Sequence, residues 1–305
     1  NLSANISDLE LTWEFIAKKS ILAAVLGVEM ILGIAGNTLI LFTKIKVGRG
    51  QFKSQYWVSV VSLSLSDLGC SLFVISSSLL AVLINGQRSP WCEVVCLLKF
   101  AFITSSLGSL VLCMQQALDL ACRGRHLSIA VGAGCLISWL TGMLFGTVPV
   151  AFKWIYDPAE MLCAVFWENN YSAMLAYILC AFCICIFPPF LLVVLGSVLT
   201  SAGWIRNRSD PDDLSSVTPL LVSFYLLCYT PFAVSELVLL GRLDQSPAPD
   251  WLRTLSSVTA YLDCGINPFI YCTNQDFRVA MMGLLWTNRK APSEPVLTAV
   301  AKLDL

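Results

Sequence analysis

The chain has one histidine, His126, and few charges: 13% of its 305 residues are Asp, Glu, Lys or Arg, for a formal net charge of −1. A single histidine argues against a histidine-rich metal site and against a Ser-His-Asp hydrolase. A near-neutral balance gives no basic surface for nucleic acid, and no nucleic-acid partner is expected. Thirteen cysteines are present, but no two CxxC units stand at zinc-site spacing, so most read as small apolar residues in helix packing. The stretch at Asn1 shows no short apolar run with a cleavage site, so no signal peptide is expected there. What the chain has in quantity is apolar surface, 57% of its residues, more than a soluble domain needs and what a polytopic membrane protein requires.

About twenty apolar residues span a bilayer as a helix. Seven stretches qualify: Ser20–Thr43, Gln55–Ile84, Glu93–Ala121, Leu127–Phe152, Ser172–Ala202, Val217–Gly241 and Trp251–Thr273. Gln275–Trp286 is amphipathic and too short to span, and is expected to lay Phe277, Val279, Met281, Leu284 and Leu285 on the membrane surface. The fold class is therefore an all-α membrane protein, a seven-transmembrane helix bundle with a short amphipathic eighth helix. Its segments are an outer tail (1–19), the bundle (20–273), the amphipathic helix (274–286) and a cytoplasmic tail (287–305).

Basic residues set the orientation. Lys44, Lys46, Arg49 and Lys53 lie in the first connection, Arg123 and Arg125 in the third, Arg206 and Arg208 in the fifth, and Arg278, Arg289 and Lys290 in the tail. That side is assigned to the cytoplasm, which puts the N-terminus outside the plasma membrane. Asn1-Leu2-Ser3, Asn5-Ile6-Ser7 and Asn170-Tyr171-Ser172 are then glycosylation acceptors on the outer side. No inverted repeat or paired interrupted helices favour a transporter.

The last span reads Asp263-Cys264-Gly265-Ile266-Asn267-Pro268-Phe269-Ile270-Tyr271. Proline removes a backbone donor and frees the carbonyl one turn back. In lipid that carbonyl needs a partner from a neighbouring helix, a side chain or water. Polar residues around such a bend mark function. Other spans carry Gly36-Asn37, Leu63-Ser64-Leu65-Ser66-Asp67, a lone Trp139, Phe187-Pro188-Pro189 and Cys228-Tyr229-Thr230-Pro231. In this order, and with Asn-Pro-x-x-Tyr in the seventh span, the chain resembles a rhodopsin-like (class A) G-protein-coupled receptor of the orphan type with a degenerate Asp-Arg-Tyr motif. The resemblance covers nearly the whole chain.

That resemblance implies a receptor rather than an enzyme. It binds an extracellular ligand and acts on a heterotrimeric G protein or arrestin from within membrane lipid. It brings Asn37, Asp67, Ser109, Asp263 and Asn267 to similar depth and implies a sodium ion there, with Asp67, Ser109 and Asp263 as ligands; no other cofactor is expected. Asp263 departs from the family, which more often has Asn, and two carboxylates in low dielectric call for a proton or a cation. Without an ion, the same residues read as a hydrated packing cluster. Pro231 and Pro268 are expected to act as hinges. A disulfide is implied between Cys96 and Cys163, with Cys92 competing for the same partner.

Two departures bear on output. The third span ends Asp119-Leu120-Ala121-Cys122-Arg123, with Leu120 where the family has arginine. Arg123 lies one turn after Asp119 and is able to pair with it, but does not replace that arginine. The fifth span has Gly196 and Ser197 where the family's tyrosine belongs. Tyr271 thus keeps its place while its usual companions are gone, which leaves open a non-signalling or atypical receptor acting as decoy, scaffold or dimer partner. For the ligand, Tyr261 stands where retinal-binding members carry lysine, and no acid occupies the third-span position that amine receptors use. Lys99, Phe102, Tyr229, Phe232, Glu236 and Tyr261 remain as a mostly aromatic lining that suits a lipid-like or small amphipathic ligand. Lys99 is equally able to snorkel to water.

Overall fold

The computed structural model describes residues 2–47, 57–84, 92–117, 125–152, 171–203, 217–241 and 249–285, almost all of them helix, with no strand among them. The helices are α1 (Leu2–Val47), α2 (Trp57–Leu83), α3 (Cys92–Ala117), α4 (Arg125–Ala151), α5 (residues 171–201), α6 (Thr218–Gly241), α7 (Asp250–Tyr271) and α8 (Gln275–Leu285). Single π-helical stretches widen α2 at Cys70–Ile75 and α5 at Phe182–Ile186.

Helix starts and ends fall within a few residues of the apolar stretches, with one exception. α1 is 46 residues long and begins at Leu2 rather than near Ser20. No glycine or proline occurs before Gly27 to stop it, and at 1.5 Å per residue it measures about 70 Å, more than twice a bilayer's hydrocarbon thickness. Its apolar part is Ile16–Lys46. Among the described residues, α1, α2, α4, α5 and α6 are long and apolar enough to cross a membrane, while the apolar part of α3 is shorter, Leu97–Cys113. α7 carries Arg253, Asp263 and Asn267 along its length, and these are the residues from which the site below is built.

Burial runs opposite to that of a soluble protein. Ser59, Ser62, Ser64, Ser66, Asp67, Ser105, Ser109, Asp263 and Asn267 are inside, while Ile129, Leu136, Ile137 and Leu144 of α4 and Leu191, Leu195 and Val198 of α5 face outward. A polar interior under an apolar surface is what lipid demands.

Small residues set the helix spacing, as is usual without a hydrophobic drive between helices. A Cβ on Gly142 would lie 2.7 Å from Ala101 Cα, and one on Gly146, four residues on, 2.4 Å from Leu97 O. α3 and α4 therefore meet backbone to backbone. α8 is anchored by Phe277, which is fully buried against Tyr271 and Trp57 at ring-centroid distances of 5.9 and 6.5 Å. Asn274 Oδ1 caps the helix by accepting the Phe277 N–H at 3.0 Å. This corrects the expectation for Phe277, which closes the end of the bundle instead of lying on the membrane. Met281 also packs toward that core, leaving Val279 and Leu285 exposed.

Candidate functional site: the bend in helix α7

Pro268 has no N–H to give to Cys264 O. Asn37 of α1 supplies the missing donor: its Nδ2 lies 2.9 Å from Cys264 O and 2.9 Å from Gly33 O. Gly36, next in sequence, makes the approach possible. A Cβ there would come within 2.5 Å of Pro268 Cγ, so only glycine admits the ring. The Gly-Asn pair in α1 is thus a socket for the α7 proline, one residue receiving the ring and the other the carbonyl that the ring frees.

Directly before Pro268, the Asn267 amide joins two helices. Its Nδ2 donates to Asp67 Oδ2 of α2 at 2.8 Å and approaches Asp263 Oδ2 at 3.5 Å. The two carboxylates are each 1% exposed, and their oxygens are no farther apart than those two legs laid end to end. Two charges about 6 Å apart repel by roughly 3 kcal/mol at an effective dielectric of ~20. Among the described residues, no lysine or arginine reaches either carboxylate. Asp263 Oδ1, Asn267 Oδ1 and Asn37 Oδ1 are buried without a hydrogen-bond partner among the described residues. Buried acceptors are rarely left so.

Ser109 belongs to an adjoining layer. Its Oγ lies 2.7 Å from Ser105 O and 2.9 Å from Ser62 Oγ, and Trp139 Nε1 donates to Ser62 Oγ at 3.3 Å. Ser66 and Ser105 close the layer through their hydroxyls. The serines tie α2, α3 and α4 together, and the Ser109 hydroxyl is spent there rather than on Asp67.

At the Lys99 end of the bundle, Lys99 Nζ sits 5.5 Å from the Tyr261 ring centroid, and Tyr261 Oη is 3.3 Å from Ser78 Oγ. Tyr229 stacks on Tyr225 with centroids 4.3 Å apart. Phe232 and Pro231 are half-buried on α6. Phe102, expected in the lining, instead fills the α2–α3–α4 contact: its ring meets Trp139 edge-on at 5.6 Å and covers Gly69, whose Cβ would lie 2.4 Å from it. Glu29 of α1 is buried, and its Oε2 has no hydrogen-bond partner. The side chains of Glu236, Cys96 and Asn5 lie outside the described residues, as do Asp119, Arg123, Cys163, Asn1 and Asn170.

Tyr271 is fully buried, and its hydroxyl has no partner among the described residues. On α5, Gly196 is buried and Ser197 turns its hydroxyl back to Val193 O at 2.8 Å. Neither offers Tyr271 a partner, as the sequence implies.

A second carbonyl freed by proline has the same remedy. Pro149 in α4 leaves Phe145 O without its helical donor, and Tyr177 Oη of α5 donates to it at 2.7 Å. Sequence reading passed over this pair. The signal was Pro149 itself, which announces an orphan acceptor four residues earlier, but not the helix that serves it.

Comparison with known proteins places these motifs. Over 287 residues the chain is 24% identical to Opsin-3 of Mus musculus, covering 87% of this chain and 70% of that protein. It is 23% identical over 289 residues to parapinopsin of Ictalurus punctatus, covering 85% and 80%. It is 22% identical over 265 residues to somatostatin receptor type 4 of Rattus norvegicus, covering 79% and 66%. The family model for the 7 transmembrane receptor (rhodopsin family) matches residues 36–271, from the glycine that receives Pro268 to the tyrosine that ends α7. The chain is a multi-pass membrane protein that belongs to the rhodopsin family of seven-transmembrane receptors, a family of receptors and not of enzymes.

Proposed function

We propose that this receptor sits in the plasma membrane with its N-terminus outside, takes a lipid-like or small amphipathic ligand at the Lys99 end, and passes a change of bundle packing to a heterotrimeric G protein. The carrying observation is the polar bend of α7. Asn37 and Asn267 hold it to α1 and α2, and the buried Tyr271 hydroxyl beyond it has no partner. A buried hydroxyl without a partner costs about 1–3 kcal/mol, so a second packing that gives it one lies within reach of a ligand's differential affinity. Lys99, Tyr261 and Ser78 supply a cationic and hydroxyl end to an otherwise aromatic lining with Tyr229 and Phe232. This suits a ligand with one polar head.

A hard cation fits the Asp67–Asp263 pair, which the family resemblance fills with sodium. The unpartnered oxygens of Asp263 and Asn267 are the observation in its favour, and oxygen donors suit such ions. Asp67, Asp263 and Asn267 would hold it, with Ser109 at one remove. The bound charge would offset the carboxylate repulsion and keep α2 and α7 together.

A second reading is a receptor that binds without activating G proteins. Ser197, turned back on its own helix, and Leu120 support it. Nucleotide exchange on a panel of G proteins, in cells displaying the chain, separates the two. Exchange above background with at least one G protein is expected. Its absence with every one, together with its appearance in Leu120→Arg, would establish the second reading.

A further inference from the structure

The inward stripe of α1 holds one group that the bend of α7 does not use. Leu26, Glu29, Gly33, Asn37 and Ile40 recur at helical spacing and are all buried. Glu29 is 3% exposed, and its Oε2 has no hydrogen-bond partner among the described residues. A carboxyl at membrane depth is costly unless something pairs with it. Its height follows from the register of two helices. A Cβ on Gly265 of α7 would lie 3.9 Å from Gly33 N and 3.8 Å from Glu29 O, and one on Gly36 would lie 2.5 Å from Pro268 Cγ. Gly33 thus faces Gly265, and three residues on in each helix Gly36 faces Pro268, so α1 and α7 run in the same direction. Four residues before the glycine contact, one turn back in each helix, stand Glu29 and Tyr261. Helical side chains lean toward the N-terminus, so the Glu29 carboxyl and the Tyr261 ring rise toward the same end. Leu26 and Met30, on either side of Glu29, pack with Tyr261 in one apolar cluster. Lys99 Nζ of α3 lies 5.5 Å from the Tyr261 ring centroid, and Ser78 Oγ of α2 lies 3.3 Å from its hydroxyl. Around one tyrosine, the Lys99 end therefore gathers an acid from α1, a cation from α3 and a hydroxyl from α2.

From this we infer that the Lys99 end takes an amphiphile with a zwitterionic head, an ammonium for Glu29 and an acid for Lys99. A head with an acid alone leaves the Glu29 carboxyl without a partner. A head with an amine alone meets Glu29 but brings a second positive charge toward Lys99. Opposite charges in one head answer both, and such complementarity selects among heads more than it adds affinity. Tyr261 lies seven residues, about two turns, before Pro268. A head held by α1 and α3 around this tyrosine bears on the same helix whose bend the Asn37 and Asn267 amides hold.

The inference rests on the amphiphile reading of the Lys99 end given above, and its test separates the two. The full chain in lipid nanodiscs is titrated with four single-chain lipids of matched tail. These are lysophosphatidylethanolamine, with both charges; lysophosphatidic acid, with the acid alone; an alkylamine, with the amine alone; and a monoacylglycerol, with neither. Thermal unfolding is the readout. Expected is saturable stabilisation by the zwitterion at a mole fraction at least about tenfold below that of each of the other three. Glu29→Gln, which keeps the shape and removes the charge, should raise the zwitterion's half-point at least about tenfold and leave that of lysophosphatidic acid within about twofold. Any of the other three lipids acting less than tenfold above the zwitterion in wild type would overturn the inference and leave an amphiphile site standing; this comparison needs no variant. A zwitterion half-point in Glu29→Gln equal to wild type would also overturn it. No saturable stabilisation by any of the four would overturn both readings.

Discussion

Replacing Asn37 by Ala tests the socket for the α7 bend. The substitution removes the donor to Cys264 O. Gly33 O loses nothing essential, since the backbone N–H of residue 37 serves it within α1. The cost is therefore that of one buried carbonyl left without a partner, about 1–3 kcal/mol. At about 2 kcal/mol, the apparent melting temperature should fall by roughly 3 °C, at ~2.1 cal/mol/K of unfolding entropy per residue over 305 residues. The control is Pro268→Ala, which returns an N–H to position 268 and gives Cys264 O an in-helix donor. In that background Asn37→Ala should cost markedly less. Thermal unfolding of the four proteins in one nanodisc preparation closes the cycle, with an expected coupling of about 1 kcal/mol or more. Losses that add to within about 0.5 kcal/mol would refute the claim that Asn37 serves the carbonyl Pro268 frees.

Two further outcomes follow from helix contacts. Tyr177→Phe keeps the ring against Phe100 and Phe145 but strips the donor from Phe145 O; unfolding should show a loss of about 1–3 kcal/mol, and an unchanged melting temperature would mean that the carbonyl has another partner. Gly146→Val places side-chain atoms where Leu97 O already sits, 2.4 Å from the Cβ position. α3 and α4 must part, so cell-surface display should fall several-fold, while Gly27→Val, with open space around it, should be displayed normally.

Much of the architecture was legible because a bilayer imposes it. An apolar run of about twenty residues has few alternatives to a spanning helix, and α2, α4, α6 and α7 begin and end within a few residues of their runs. The site was legible where chemistry forces a partner. Pro268 announces an orphan carbonyl, and Asn37, Asp67 and Asn267 were the polar residues at hand. What sequence did not reveal was facing. Phe102 and Phe277 are apolar whether they line a cavity, plug a bundle end or touch lipid, and only the positions of Gly69, Trp139 and Tyr271 decide between these. Ser109 turns its hydroxyl to Ser105 O of its own helix and to Ser62 of α2, a choice that the spacing of polar residues does not announce. The start of α1 was missed because hydropathy marks where a helix enters lipid and not where it begins.

The central claim is that the α7 bend is a switch whose output runs through Tyr271. G-protein nucleotide exchange by wild type and by Tyr271→Phe, at matched surface levels, tests it most directly. The variant loses only a hydroxyl that is buried without a partner in this packing, so its resting stability should hold or rise. Wild type should catalyse exchange, and the variant should do so about tenfold more slowly, which corresponds to ~1.4 kcal/mol for one hydrogen bond made only in the second packing. Equal exchange by the two proteins, or none by either, would contradict the account.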